Sequence, residues 1–130
     1  MQRRIHPAIA SQHYRTLALK SSIESARPHG LVALLYDELL AAIDLLVARS
    51  GQRAKPTGSA PLTRAQSILV ALEASLDFDA GGELATVLAR IYRSVRNNLA
   101  VAVAEDDEKK LREIRSAISN IAYAWQALAG

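Results

Sequence analysis

Apolar residues recur at three- and four-residue steps through most of the chain, the spacing that places side chains on one face of a helix. The most apolar stretch begins at Pro28, a residue tolerated at a first helical position, and continues to Ala48. Its polar strip is thin and carries Asp37 and Asp44. A helix with so wide an apolar face needs cover on several sides. The pattern therefore predicts a helix at the centre of a bundle, or one that offers a second flank to a partner.

Three further stretches predict helices with narrower apolar faces. Thr63 and Gln66 have the spacing of a capping box and predict one helix start. A second helix is predicted from about Glu83 to Ala104, and a third after the acidic turn 105–108, because carboxylates favour a helix N-terminus. The positions predicted to be buried are Leu62, Ala65, Ile68, Leu69, Leu72 and Leu76, then Leu84, Leu88, Ile91, Val95, Leu99 and Ala102, and finally Leu111, Ile114, Ile118, Ile121, Trp125 and Leu128.

The remaining segments predict a loop and a terminal arm. Residues 50–61 are rich in glycine, proline and serine, which is typical of a solvated loop. Residues 1–26 have irregularly spaced apolar positions, which indicate a mobile N-terminal arm that packs on the rest of the chain. The fold class expected is all-α, an antiparallel four-helix bundle with an additional short N-terminal helix or arm, in one domain spanning residues 1–130.

Composition is consistent with this fold and narrows the function. The chain has 130 residues, of which 50% are hydrophobic, so it can bury a core without disulfides, and it contains no cysteine. No run reaches the 18 or so apolar residues of a membrane span, so we expect a soluble, cytoplasmic protein. The net charge is +3, with 16 basic and 13 acidic residues interspersed. Such a distribution favours an ordinary solvated surface over a nucleic-acid site.

Residues typical of catalysis are sparse. His6 and His13 are too far apart in sequence for a helical metal pair, and no Glu-x-x-His di-metal motif is present. The loop sequence Lys55-Pro56-Thr57-Gly58 lacks the spacing of a phosphate-binding loop. We therefore expect no enzyme activity, no cofactor and no metal.

Several short motifs follow one another along the chain. Pro28-His29 begins the apolar helix, which continues through Leu31 into Leu35-Tyr36-Asp37. The later motifs are Arg64-Ala65-Gln66-Ser67-Ile68-Leu69, Ser75-Leu76-Asp77, Gly81-Gly82-Glu83-Leu84-Ala85 and Ala124-Trp125. In this order they resemble the flagellin export chaperones of the FliS family. Arg27 and Gly30 depart from the family's usual helix start, where a Ser or Thr cap pairs with a Glu.

The resemblance implies a cytoplasmic chaperone that binds the disordered C-terminal segment of flagellin, prevents its premature polymerisation and delivers it to the flagellar type III export gate. The implied binding mode is an amphipathic helix in an apolar groove. The family also implies an N-terminal segment that lies over this groove when no client is bound. The residues expected to contact the client, or to cover its groove, are Tyr14, Ile23, Val32, Tyr36, Leu40, Ile43, Val47 and Tyr92. The oligomeric state is left open.

Two alternatives from other functional classes remain open. A histidine phosphotransfer domain is also a four-helix bundle, and His29 is the only histidine in the predicted bundle. A helical nucleic-acid-binding module is the second alternative, and it predicts binding that depends strongly on salt.

Overall fold

A computed structural model describes residues 28–52 and 59–128. These residues form four helices and no strand: α1 (Pro28–Arg49), α2 (Ala60–Ala74), α3 (Phe78–Ala104) and α4 (Glu108–Leu128). Helix α1 packs against α2 and α4, and α3 packs against the same two helices. The all-α prediction is confirmed for these ranges, and the arrangement is compatible with a four-helix bundle. The N-terminal arm and most of the predicted loop lie outside the described residues, and the antiparallel order stays a prediction.

Helix α1 has the predicted bounds and the predicted thin polar strip. Asp37 and Asp44 are exposed, whereas Leu39, Ala42 and Ile43 are fully buried. The wide apolar face is explained by the two neighbours of α1, since it must pack against α2 on one side and α4 on the other. This helix is therefore a major contributor to the core.

Helix α2 begins earlier than the sequence predicts. Its N-cap is Ser59, which has an extended backbone and whose hydroxyl accepts a hydrogen bond from the Leu62 amide at 3.2 Å. The predicted capping box is wrong, because Thr63 already lies inside the helix and Gln66 donates instead to the Arg96 carbonyl of α3. Serine before a proline-containing first turn is itself a favourable helix start.

Helix α3 also begins earlier, at Phe78 rather than near Glu83, and it contains a kink. Asp77 caps the first turn by accepting a hydrogen bond from the Ala80 amide at 3.0 Å. Gly82 then leaves the helical conformation, with φ 52° and ψ −127°. Leu84, predicted to be buried, follows this kink and is 56% exposed. The first turn and the long remainder of α3 are thus two segments joined at Gly82.

Helix α4 begins as predicted, after the acidic turn. The Asp107 carboxylate accepts a hydrogen bond from the Lys110 amide at 3.0 Å and caps the helix. Most of the remaining predicted core positions are confirmed, because the buried cluster combines residues from all four helices. It includes Tyr36, Leu39, Ile43, Leu69, Leu72, Tyr92, Leu99, Leu111 and Ile118. Of the helices described, none is long and apolar enough to cross a membrane.

Candidate functional site

An open apolar cleft with a volume of about 630 Å³ lies where parts of all four helices meet. Its walls come from the first turn of α1, the link between α2 and α3, the first half of α3 and the last turns of α4. The apolar side chains that line it are mainly Leu31, Val32, Leu76, Leu84, Leu88 and Trp125. A cleft of this size and composition suits an apolar ligand or the apolar face of a helix.

The cleft adjoins the most exposed apolar surface of α3. Leu84 on its wall is 56% exposed, and Phe78, on the turn before the kink, is 50% exposed. Val87 and Val101 lie further along the same helix and are each more than two-fifths exposed. Leu84 and Val87 are three residues apart, so they share one flank of α3. Exposed apolar side chains beside an apolar cleft, such as Leu84 and Val87, are typical of a protein-binding site.

Tyr92 lines the cleft and forms a hydrogen bond with a second buried tyrosine, Tyr36. The Tyr36 and Tyr92 hydroxyl oxygens are 2.5 Å apart, and each residue is 1% exposed. Burial raises the pKa of both phenols, since the charged phenolate would lose its water. For Tyr36 the hydrogen bond to Tyr92 raises the pKa further. Both tyrosines are therefore neutral near pH 7 and have a structural, hydrogen-bonded environment.

The structure brings together only part of the predicted site. Val32 and Tyr92 line the cleft. Leu40 and Val47 are partly buried against the core and do not line it, and Tyr36 reaches it only through its bond to Tyr92. Tyr14 and Ile23 lie outside the described residues.

The expectation that Ile43 lies on an accessible flank of α1 is wrong. Its side chain is fully buried in the core cluster, because α1 has helices packed on two sides. Tyr36 and Tyr92 are likewise closed off from solvent. A direct client contact at these three positions stays a prediction, and it would need the bundle to open.

Five of the apolar lining residues are absent from the predicted site. Leu31 belongs to the family motif, and the core stripes predicted for the helices include Leu76, Leu84, Leu88 and Trp125. The available signal was the Gly81-Gly82 pair, because two consecutive glycines indicate a break in a helix and therefore a shift of the faces that follow it.

Charged side chains of the described helices form ion pairs along the bundle. Arg93 and Arg115 contact Glu73 and Asp44 at 2.6 Å and 2.8 Å, respectively. Within residues 28–52 and 59–128, no three histidine, aspartate or glutamate side chains converge as a metal site. His29 lies in the first turn of α1, and its side chain is outside the described part of the chain.

Comparison with known proteins identifies the family. The family model described as "Flagellar protein FliS" matches residues 10–130. The chain belongs to the FliS family. Flagellar secretion chaperone FliS of Salmonella typhimurium is 31% identical over 128 residues, covering 95% of this chain and 93% of the relative. The FliS proteins of Escherichia coli and Vibrio cholerae are 28% and 27% identical, over 94% and 90% of this chain and 90% and 86% of their own lengths. Membership of the family supports a chaperone role in flagellar export.

Proposed function

We propose that this FliS-family chain is a cytoplasmic chaperone for flagellin. It binds the disordered C-terminal segment of flagellin, keeps that segment from polymerising and delivers the complex to the flagellar type III export apparatus. The family supports the chaperone role, and the apolar cleft lined by Leu84 and Trp125 is the observation that supports a helix-binding surface. A disordered segment that folds on binding can wrap a large surface of this kind.

The energetics of coupled folding indicate that the client extends beyond the cleft. Ordering a disordered segment costs about 2–5 kcal/mol. Burying a fully exposed leucine side chain contributes about 1.5–3 kcal/mol, so covering the exposed half of Leu84 contributes about 1 kcal/mol. Several such contacts are needed to offset the ordering and to leave a useful affinity. The exposed flank of α3 that continues through Val87 supplies some of them.

We also propose that neighbouring helices run antiparallel. Arg115, in the first half of α4, pairs with Asp44 in the second half of α1. Trp125, near the end of α4, shares the cleft with Leu31 at the start of α1. This reversed order supports the antiparallel arrangement. It also explains how the first turns of α1 and α3 meet the segment that follows α2 and the last turns of α4 at one cleft.

The N-terminal arm is proposed to act as a competitive lid, with Tyr14 and Ile23 as its anchors. Support comes from the position of α1, because Leu31 and Val32 line the cleft and the arm enters α1 immediately before them. An arm tethered at the edge of the cleft has a high local concentration there. A client must then displace the arm. The apparent affinity is lowered because only the molecules with an open cleft can bind the client.

Calorimetry with full-length flagellin and with flagellin lacking its C-terminal segment tests the proposed function. We expect tight binding to the first and none to the second. Undiminished binding to the truncated flagellin would refute the proposal.

A matched pair of variants tests the location of the site. Leu84→Asp places a carboxylate in the cleft and is expected to weaken binding about tenfold or more, because the client must remove water from the charge. Val70→Asp changes a valine of α2 that is 48% exposed and does not line the cleft, so it is the control. Both variants are expected to keep the thermal stability of the unmodified protein. Equal loss of affinity in the two would show that the cleft is not the binding site.

A further inference from the structure

The conformation of Gly82 separates the two parts of the cleft wall that α3 provides. Its φ of 52° and ψ of −127° match the first central position of a type II′ turn, which in proteins is occupied almost only by glycine. Asp77, Ala80 and Gly81 line the cleft before this residue, and Leu84, Ala85 and Leu88 line it afterwards. The kink therefore lies in the middle of the wall.

Each side of the kink is held by its own contacts. Before it, the Gly81 amide donates to the Asp77 carbonyl at 2.7 Å, which closes a single turn capped by Asp77. After it, the long segment of α3 is anchored in the core by side chains such as Leu88 and Tyr92. Because both sides are fixed, the backbone angles of Gly82 determine how the capped turn is oriented relative to Leu84.

We propose that Gly82 is the positioning residue that holds the cleft open for the client helix. A right-handed helical conformation at this position would make α3 continuous and would move the capped turn relative to Leu84, which changes the width and lining of the cleft. The inference rests on the proposed function, since it concerns the same site. It adds that the cleft's shape depends on a backbone conformation that L-amino acids other than glycine rarely adopt.

Alanine at position 82 tests the backbone alone. A Cβ added to Gly82 would meet no atom within 4 Å, so a loss of binding in Gly82→Ala cannot come from a steric clash with the surrounding side chains. Gly51 is the matched control, because it also has a positive φ, of 86°, and also has open space around an added Cβ. It lies after α1 and does not line the cleft.

D-alanine at position 82 is the rescuing variant. The mirror image of the observed angles, φ −52° and ψ 127°, lies in the broad extended region open to L-residues, so a D-residue favours the observed conformation. The chain contains no cysteine, so it can be assembled by ligation at Ala80 or Ala85 followed by desulfurisation of the ligation cysteine to alanine. The probe is the C-terminal segment of flagellin.

We expect Gly82→Ala to weaken binding about tenfold, while Gly51→Ala and the D-alanine protein stay within about twofold of the unmodified protein. Unchanged affinity in Gly82→Ala would overturn the proposal. So would an equal loss with D-alanine and L-alanine, because handedness at Gly82 would then be irrelevant. If the L-alanine protein fails to fold, the D-alanine protein is compared with the unmodified protein alone. The proposal then requires the two to bind the flagellin segment with affinities within about twofold of each other.

The fluorescence of Trp125 reports on the shape of the cleft in the absence of a client. Trp125 is the single tryptophan of the chain and it lines the cleft. We expect acrylamide quenching of its fluorescence to change in Gly82→Ala and to be unchanged with D-alanine or in Gly51→Ala. If the unmodified protein does not bind the flagellin segment, the proposed function fails, but this quenching pattern would still support the role of Gly82. Identical quenching in all four proteins would refute that role.

Discussion

The buried pair formed by Tyr36 and Tyr92 allows a quantitative prediction about stability. Tyr36→Phe removes one hydroxyl with little change in volume and leaves the Tyr92 hydroxyl buried without its partner, 2.5 Å from where that partner stood. An unsatisfied buried hydroxyl costs about 1–3 kcal/mol. For a chain of this length, each kcal/mol lowers the melting temperature by about 4 °C. We therefore expect a decrease of about 4–12 °C in Tyr36→Phe and a similar decrease in Tyr92→Phe.

The double variant is expected to be more stable than the sum of the two single variants predicts. Replacing both tyrosines by phenylalanine removes both hydroxyls, so no polar group of the pair remains unsatisfied in the core. Such a replacement is nearly neutral or stabilising. Because each single replacement costs about 1–3 kcal/mol and the double replacement almost nothing, the interaction energy of the cycle is about 2–6 kcal/mol in magnitude.

The raised pKa values of Tyr36 and Tyr92 add a pH dependence. Tyrosine in the unfolded chain titrates near pH 10, and burial raises the folded pKa of both residues above that value. The two neutral tyrosines therefore make their full contribution to the free energy of unfolding below pH 10. This contribution is lost as the pH rises toward the folded pKa values. Both phenols resist ionisation in the folded protein and ionise readily in the unfolded chain, so the free energy of unfolding is expected to fall as the pH rises above 10. The double phenylalanine variant lacks this contribution and is expected to be less sensitive to alkali.

Urea unfolding at pH 8 and pH 11, followed by Trp125 fluorescence, measures both effects in the four proteins of the cycle. Two results would refute the reasoning. One is a Tyr36→Phe variant as stable as the unmodified protein at pH 8. The other is a double variant whose stability falls between the two pH values as much as that of the unmodified protein.

Three further predictions concern the core, a helix cap and the N-terminal arm. Ile43→Asp is expected to destabilise the bundle by several kcal/mol because it places an unpaired carboxylate in a closed core. Val70→Asp, at an exposed position, is expected to change stability by less than about 0.5 kcal/mol. Urea titrations of both variants measure these free energies of unfolding. Ser59→Ala is expected to lower stability by about 1 kcal/mol and leave client affinity unchanged, since Ser59 caps α2 and does not line the cleft; an unchanged melting temperature would contradict the assigned cap. Amide exchange in residues 9–23 is expected to differ with and without the flagellin segment, and equal protection would contradict the lid.

Much of the fold follows directly from the sequence. The helical spacing of apolar residues in α1 and α4 predicts helices within a residue or two of those observed, because both have strong periodicity and clear ends at Pro28 and the acidic turn. For α2 and α3 the same spacing predicts starts that are four or five residues too late. In each case the actual cap, Ser59 or Asp77, precedes a turn that contains few residues of the apolar stripe, so periodicity does not detect it.

The candidate site was less predictable than the fold. Periodicity identifies which residues share a helix face, but it does not tell which neighbouring helix covers that face. Ile43 and Leu84 show this limitation, because both belong to apolar stripes and yet one is fully buried and the other is 56% exposed. Their difference depends on tertiary packing around α1 and on the kink at Gly82 in α3.

Methyl NMR of the leucine and valine residues during titration with the C-terminal segment of flagellin tests the central claim most directly. The cleft methyl groups of Leu31, Val32 and Leu84 are expected to shift, while those of Leu46 and Leu111, which line a separate small cavity, are expected to remain in place. Shifts confined to Leu46 and Leu111, with the cleft methyl groups unchanged, would contradict the assignment of the cleft as the flagellin-binding site.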